Sequence, residues 1–365
     1  MKFTITKEKF LEGLQQVQHV VSSRTTLPIL SNVLIEATDG QIRVTTTDLD
    51  VGVTGSVEAN VEKPGSTTLP TRRLVSIVKE LPASEVSVEV SSGNEATITC
   101  GPSKFVILGL AADEFPPLPK FENAREFELD QAMLRDGLRK THYAISTDET
   151  RYVLNGIYTS FRDGKLTLVA TDGRRLAMVE NEIEFPASQE CDVIVPTKAV
   201  SELQRLLGTE GKVIVRIGES QIAFEVGESL LVSKLIEGNY PNYKQVIPGP
   251  AQERVTLSRE DFLSTVNRVS LLSSDKSNSV KIAFGENSID IQANSPDVGS
   301  ANESIPVIYG GKEFAIAFNP DFLMAPLRNL PDSEVHLDLI DEMSPGVLRV
   351  DSSFLYVLMP MRVSS

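Results

Sequence analysis

The chain has 365 residues, 41% of them hydrophobic, and a formal net charge of −15 from 35 Lys and Arg against 50 Asp and Glu. That length exceeds what one core fills and predicts two or three domains. No apolar run approaches the roughly 18 residues of a membrane span, and Met1-Lys2-Phe3 opens directly into an alternating strand with no signal-peptide core, so the expected location is cytoplasmic.

In chain order, a strand is predicted at Lys2 to Thr6 and a helix from Lys7 to about Ser22, with Phe10, Leu14, Val17 and Val21 at helical spacing. Residues 26–50, TLPILSNVLIEATDGQIRVTTTDLD, read as a hairpin turning at Asp39-Gly40 and ending in Thr47-Asp48. A strand ending in Thr68-Leu69-Pro70 leads to a helix from Arg72 to Leu81, followed by strands at Ser84 to Val90, Glu95 to Cys100 and Lys104 to Leu110. The proline-rich stretch Phe115-Pro116-Pro117-Leu118-Pro119 is a domain boundary by composition.

The same order then recurs. A strand near Glu126 to Leu129 and a helix from Gln131 to Ala144 precede residues 150–178, TRYVLNGIYTSFRDGKLTLVATDGRRLAM, which read as two strands turning at Asp163-Gly164. A second turn at Asp172-Gly173 starts another strand, and Val193 to Pro196 enters a helix from Lys198 to Leu207. After Ile247-Pro248-Gly249-Pro250 come a helix from Arg259 to about Ser273, the hairpin 279–296 turning at Gly285-Glu286-Asn287, and AFNPDFLMAPLRNLP at 317–331. The segments at 68–82, 194–208 and 317–331 each run from a strand through a proline into an apolar helical pattern. A period of about 120 residues is too long for a solenoid, so three domains of one design are expected at 1–119, 125–246 and 251–365.

Charge is segregated between helices and the rest. The six helical segments 7–24, 72–80, 130–142, 198–207, 259–276 and 320–329 hold 15 Lys and Arg against 10 Asp and Glu, inside a chain that is strongly acidic. Helices sharing one face would give a polyanion a basic surface on an acidic protein, whereas independently placed helices would simply carry solvated cations. Catalytic motifs are missing: there is no phosphate loop, G-x-G-x-x-G, H-E-x-x-H, C-x-x-C or G-x-S-x-G. His19, His142 and His336 are scattered, Cys100 and Cys191 read as buried free thiols, and Asp338, Asp341 and Glu342 read as a solvated hairpin end. No metal site, cofactor or enzymatic activity is expected.

Four stretches, RTTLPIL at 24–30, ATDGRRLAM at 170–178, SKLIEGNYPNY at 233–243 and YVLMPMRV at 356–363, give the chain a resemblance to the bacterial DNA polymerase III beta subunits, the replication sliding clamps. The resemblance implies an α+β DNA clamp fold of three repeated domains, each with two helices packed on antiparallel sheets, closing into a ring as a homodimer. Its implied partners are double-stranded DNA bound without regard to sequence, the DNA polymerase III catalytic subunit, the clamp loader and other proteins carrying a clamp-binding motif. The implied peptide groove matches Leu154, Thr171, Gly173, Arg174, Arg175, Leu176, Pro241, Gln245, Val246, Val357, Leu358, Met359, Pro360, Met361 and Arg362. Gln245 stands where the family often carries arginine.

For DNA, the resemblance carries over Arg24 and the loop at Arg151-Tyr152, and helix charge adds Arg72, Arg73, Lys198 and Arg205. The dimer junction is expected to bring Phe105 and Ile107 against Leu271 and Leu272 of a second copy, with Arg73 facing Asp297 or Glu303. Covering an open edge strand is a physical reason for such a junction. Two other readings remain at this level: a protein-only scaffold of three repeats, and a specialised, inhibitor-tolerant clamp paralogue.

Overall fold

The structure is a computed structural model that describes residues 1–21, 27–119, 121, 123–273, 278–297, 299–350 and 353–361. Six helices follow one another along the chain: α1 (Lys7–Val17), α2 (Thr71–Glu80), α3 (Gln131–Thr141), α4 (Thr197–Leu206), α5 (Arg259–Ser270) and α6 (Pro320–Asn329). Every named strand pairing is antiparallel, giving an α+β architecture of two helices per repeat. The chain forms two compact units, Met1–Arg135 with Lys198–Leu235, and Asp136–Thr197 with Ile236–Ser365.

The first unit holds a five-stranded and an eight-stranded sheet. The five-stranded sheet runs in the order Asn60–Lys63, Lys2–Thr6, Glu85–Val90, Glu95–Cys100, Ser103–Leu108. The eight-stranded sheet takes four strands from the second repeat (Arg125–Asp130, Lys212–Ile217, Gln221–Val226, Ser229–Lys234) and four from the first (Val51–Glu58, Gln41–Thr47, Asn32–Thr38, Gly65–Pro70). The two sets join where Leu230–Ser233 pair with Val51–Thr54. Helix α1 starts at Thr6, whose hydroxyl accepts the Lys9 N–H, and buries Phe10, Leu14 and Val17. It stops at Val17, short of the expected end near Ser22, with Gln18 as its C-cap donating its N–H to the Leu14 carbonyl. At the hairpin turn, Asp39 and Gly40 both take positive φ (46° and 81°), as a two-residue turn of this kind demands.

The second unit repeats the plan. Its eight-stranded sheet runs Cys191–Pro196, Gly156–Arg162, Lys165–Thr171, Arg175–Glu182, then Phe354–Leu358, Gly346–Arg349, Glu334–Leu339, Glu253–Ser258. The join is the pairing of Arg175–Val179 with Phe354–Leu358. A four-stranded sheet, Gly299–Pro306, Ser288–Ser295, Val280–Gly285, Phe314–Phe318, completes the unit, and α5 packs against α6. Residues 149–154 form a short 3-10 segment and not part of a strand, α3 gives way to a 3-10 turn at His142, and α5 ends at Ser270, before Ser273. The strands Val51–Glu58, Lys212–Ile217, Gln221–Val226, Ser229–Lys234, Glu253–Ser258, Gly299–Pro306 and Gly346–Arg349 are among those that escape the sequence reading, since strand preference depends on cross-strand and same-face neighbours.

Candidate partner-binding groove and nucleic-acid face

The groove residues gather at the join of the second unit, and a tight turn positions them. In Thr171-Asp172-Gly173-Arg174-Arg175, the Asp172 carboxylate accepts the N–H groups of Arg174 (2.9 Å) and Arg175 (3.1 Å). The Thr171 hydroxyl donates to the Arg175 carbonyl (2.6 Å) and accepts the Gly173 N–H (3.1 Å). Gly173 has φ +86°, which favours glycine, and the space a Cβ would need is already taken by the Arg151 guanidinium. The glycine therefore seats Arg151, itself paired with Asp148 at 3.0 Å, and does not leave an open approach on that side.

Strand alternation sorts the remaining residues into two layers. Leu176 pairs with Val357 on the outer face, both 2% exposed, in a cluster with Val169, Val347 and Leu355 against which Tyr240, Tyr243 and Ile247 of the link pack. Arg175 and Leu358, adjacent on the two strands, turn to the opposite face, and there the Arg175 guanidinium lies 4.3 Å over the Phe322 ring of α6 and pairs with Asp172 at 3.0 Å. Tyr356, on the same layer, donates to the Phe322 carbonyl at 2.8 Å. This corrects the expectation for Arg175 and Leu358: they anchor the turn from behind and do not line the outer surface. Leu154 and Thr171 are also buried, while Gly173, Arg174, Pro241, Gln245 and Val246 are exposed and Met359, Pro360 and Met361 are half-buried. Met359 donates its N–H to the Arg174 carbonyl (3.0 Å) and Met361 to that of Ala317 (2.7 Å), so the C-terminal segment is tied down at two points. Arg362 lies outside the described residues.

Link aromatics that the sequence reading passed over support this surface. Tyr158 stacks on Tyr240 at 5.1 Å, and burial pushes the Tyr243 hydroxyl up to about 12. Their signal in the sequence is the aromatic pair of NYPNY, which marks a packed link and not a flexible one.

Of the cations expected at DNA, Arg72 and Arg73 are exposed on α2 and form no ion pair among the described residues, and Tyr152 is 57% exposed. Two others need correction. The Lys198 ammonium donates to the Val20 carbonyl at 2.7 Å and pairs with Asp48. Burial alone would raise the Asp48 carboxyl, but hydrogen bonds from Lys198 and the backbone of Val51 and Asp50 outweigh it and hold the group below its ordinary value. Arg205 is bound by Glu202 at 2.5 Å. Lys140 and Arg139 share Asp136, so the helices present fewer free cations than their composition suggests. Arg24 lies outside the described residues.

At the expected junction, Ser103–Leu108 and Gly299–Pro306 are each the last strand of a sheet. Phe105, Val106 and Leu108 are 39%, 51% and 72% exposed and Leu271 75%, with Leu272 half-buried and Asp297 exposed. Ile107 points into the core (7% exposed), and Glu303 is held by Arg268 at 2.6 Å, so the expectation that Ile107 faces outward and Glu303 awaits Arg73 is corrected. Asp338 is likewise no solvated hairpin end: it is 7% exposed and chelated by Arg254.

The fold is that of a repeated-domain clamp with an apolar cluster at one sheet join, and comparison with known proteins specifies it further. Models of the N-terminal, central and C-terminal domains of the DNA polymerase III beta subunit match residues 1–119, 128–242 and 244–362. A beta sliding clamp of Chlamydia muridarum is 37% identical over 363 residues, covering 100% of this chain and 99% of its own. Among solved structures, the sliding clamps of Bartonella birtlesii and Pseudomonas aeruginosa, both with griselimycin bound, superpose with TM-scores of 0.94 and 0.95 at 38% and 34% identity, each covering 100% of both chains. The chain belongs to the DNA polymerase III beta subunit family. It is a DNA sliding clamp, a processivity factor without catalytic activity, and the comparisons do not favour a specialised paralogue. Among the described residues no helix is long and apolar enough to cross a membrane.

Proposed function

We propose that three domains, 1–119, 125–246 and 251–365, of each of two copies close a ring around duplex DNA, and that the groove tethers partners to it in the cytoplasm. DNA passes through without base readout, held by topology and by screened contacts from cations such as Arg72 and Arg73. The unpaired edges Ser103–Leu108 and Gly299–Pro306, with exposed Phe105, Val106, Leu108 and Leu271, support a twofold junction that covers both edges at once.

The observation that carries the partner reading is the row Leu176–Val357, a packed apolar floor with exposed Val246 and half-buried Met359 and Met361 at its rim. A leucine- or phenylalanine-anchored segment from the DNA polymerase III catalytic subunit, the clamp loader or another clamp-binding-motif protein fits such a floor, because methionines repack around different anchors. The test is retention on nicked circular DNA after loading. Clamp that stays on circles, leaves on linearisation and recruits a polymerase dependent on an intact groove supports the reading; equal retention on linear DNA removes the ring.

A further inference from the structure

Beyond the groove, the second unit contains a cavity of about 850 Å³ whose lining includes Pro248, Arg254, His336, Asp338, Val347 and Arg349. It lies on the same sheet face as the groove floor. The register runs Leu176 to Val357, Val357 to Val347, Val347 to Asp338, and Asp338 to Arg254, one row across five strands. A parallel row carries Met178, Leu355, Arg349 and His336. From Val357 to Asp338 is two strand spacings, about 10 Å, or roughly three residues of extended chain.

The chemistry at the far end of that row is cationic. Asp338 is buried and bonded at both oxygens by Arg254, at 2.6 Å and 2.8 Å. That bidentate pair already satisfies the carboxylate. Arg349 is nevertheless drawn to the same group, its Nε 3.4 Å from Oδ2. Its two terminal nitrogens, and Nη1 of Arg254, donate to nothing among the described residues. The other acid of the lining, Glu253, carries its carboxylate away over Gly311 beside Tyr309. Two guanidiniums around one carboxylate leave a positive site, in a chain whose net charge is −15.

We propose that this cavity receives the carboxylate of an acidic side chain flanking the apolar anchors of a partner peptide held in the groove. The inference rests on the groove reading above. The two rows set the distance from floor to cavity, and the guanidinium donors that bind nothing among the described residues supply the recognition. Apolar walls from Pro248 and Val347 raise the selectivity for a carboxylate carried on a side chain over a free hydrated ion.

Calorimetry on the full chain tests it with a leucine- and phenylalanine-anchored peptide, used alone and extended by four residues at either end to a terminal Glu or Gln. For one direction of extension, the Glu peptide is expected to bind roughly threefold to tenfold tighter than the Gln peptide, a gain that shrinks with added salt. Arg349→Ala, which leaves the Arg254–Asp338 pair intact, is expected to abolish the gain and keep the affinity of the unextended peptide; Arg349→Gln gives the same result with side-chain length preserved. Equal binding of Glu and Gln peptides in both directions overturns the proposal, as does a gain that survives in Arg349→Ala. Binding of free glutamate or inorganic phosphate with no effect of the extension would assign the cavity to a small anion and overturn it too. If the unextended peptide itself does not bind, the groove reading fails first and takes this one with it.

Discussion

The two sheet joins of this chain share one turn and one strand pairing, and only the second carries an apolar cluster of Leu176 and Val357. Thr47-Asp48-Leu49-Asp50-Val51-Gly52 in the first unit and Thr171-Asp172-Gly173-Arg174-Arg175-Leu176 in the second adopt one turn. Asp48 accepts the N–H groups of Asp50 and Val51, as Asp172 does those of Arg174 and Arg175. Thr47 bonds Val51 and Leu49 as Thr171 bonds Arg175 and Gly173. Leu49 and Gly173 share positive φ, 79° and 86°, and Lys234 donates to Asp50 as Met359 donates to Arg174.

What differs is the side chains on that shared backbone. At the first join, Gly52 leaves space that Leu118 of the proline-rich link occupies, and Asp48 and Asp50 are neutralised by Lys198 and Lys234. Leucine at the equivalent position 176 of the second join instead raises an apolar floor, and Met359 replaces the lysine at its rim. The link there packs Tyr243 and Ile247 onto the floor but leaves Val246 outside. A plugged, salt-bridged join offers a partner little apolar surface, whereas an apolar floor with exposed rim residues suits the docking proposed above.

The largest effect expected from breaking this contrast is on binding. Deleting Met359–Ser365 removes one wall of the second join only, so binding of an anchored peptide should fall below detection by calorimetry while sedimentation still reports a dimer; retained binding would contradict the placement of the groove. Next in size are the position-equivalent substitutions, read by urea unfolding. Leu176→Ala should destabilise by about 2–4 kcal/mol by opening a cavity, and Gly52→Leu by about 1–3 kcal/mol by overpacking against Leu118.

Smaller still are the effects at the turn. Gly173→Ala should cost about 1–2 kcal/mol, from positive φ and displacement of Arg151, whereas Leu49→Gly should be neutral or stabilising by up to about 1 kcal/mol; opposite signs in thermal melts would confirm that one turn is strained and the other relieved. The smallest effect is electrostatic. The folded Asp48 carboxyl sits below its ordinary 3.8, so its contribution is present above that pH and is lost as pH falls through the lowered value. Asp48→Asn should therefore lower stability at pH 7 by under about 1 kcal/mol, with the gap to the native chain closing as the pH falls below that ordinary value; a gap unchanged with pH would sever the link to this titration.

The sequence by itself determined the three-fold repeat, the helices and the hairpin turns. These depend on local codes: apolar spacing in α1 and α2, positive-φ pairs at Asp39-Gly40 and Asp163-Gly164, and prolines at helix starts. It also supplied the residues of the groove, through stretches such as ATDGRRLAM that resemble a known family. Tertiary structure alone decided which of those residues face outward. Arg175 and Leu358 lie next to Leu176 and Val357 in sequence but turn to α6, because strand geometry alternates faces and only pairing fixes which face is covered. It alone decided that Lys198 is spent on Asp48 and that Asp338 is gripped by Arg254, since residues 150 and 84 positions apart meet only after folding. Charge counted along a chain is a property of composition, whereas charge available to a partner is what remains after the fold has paired its own ions.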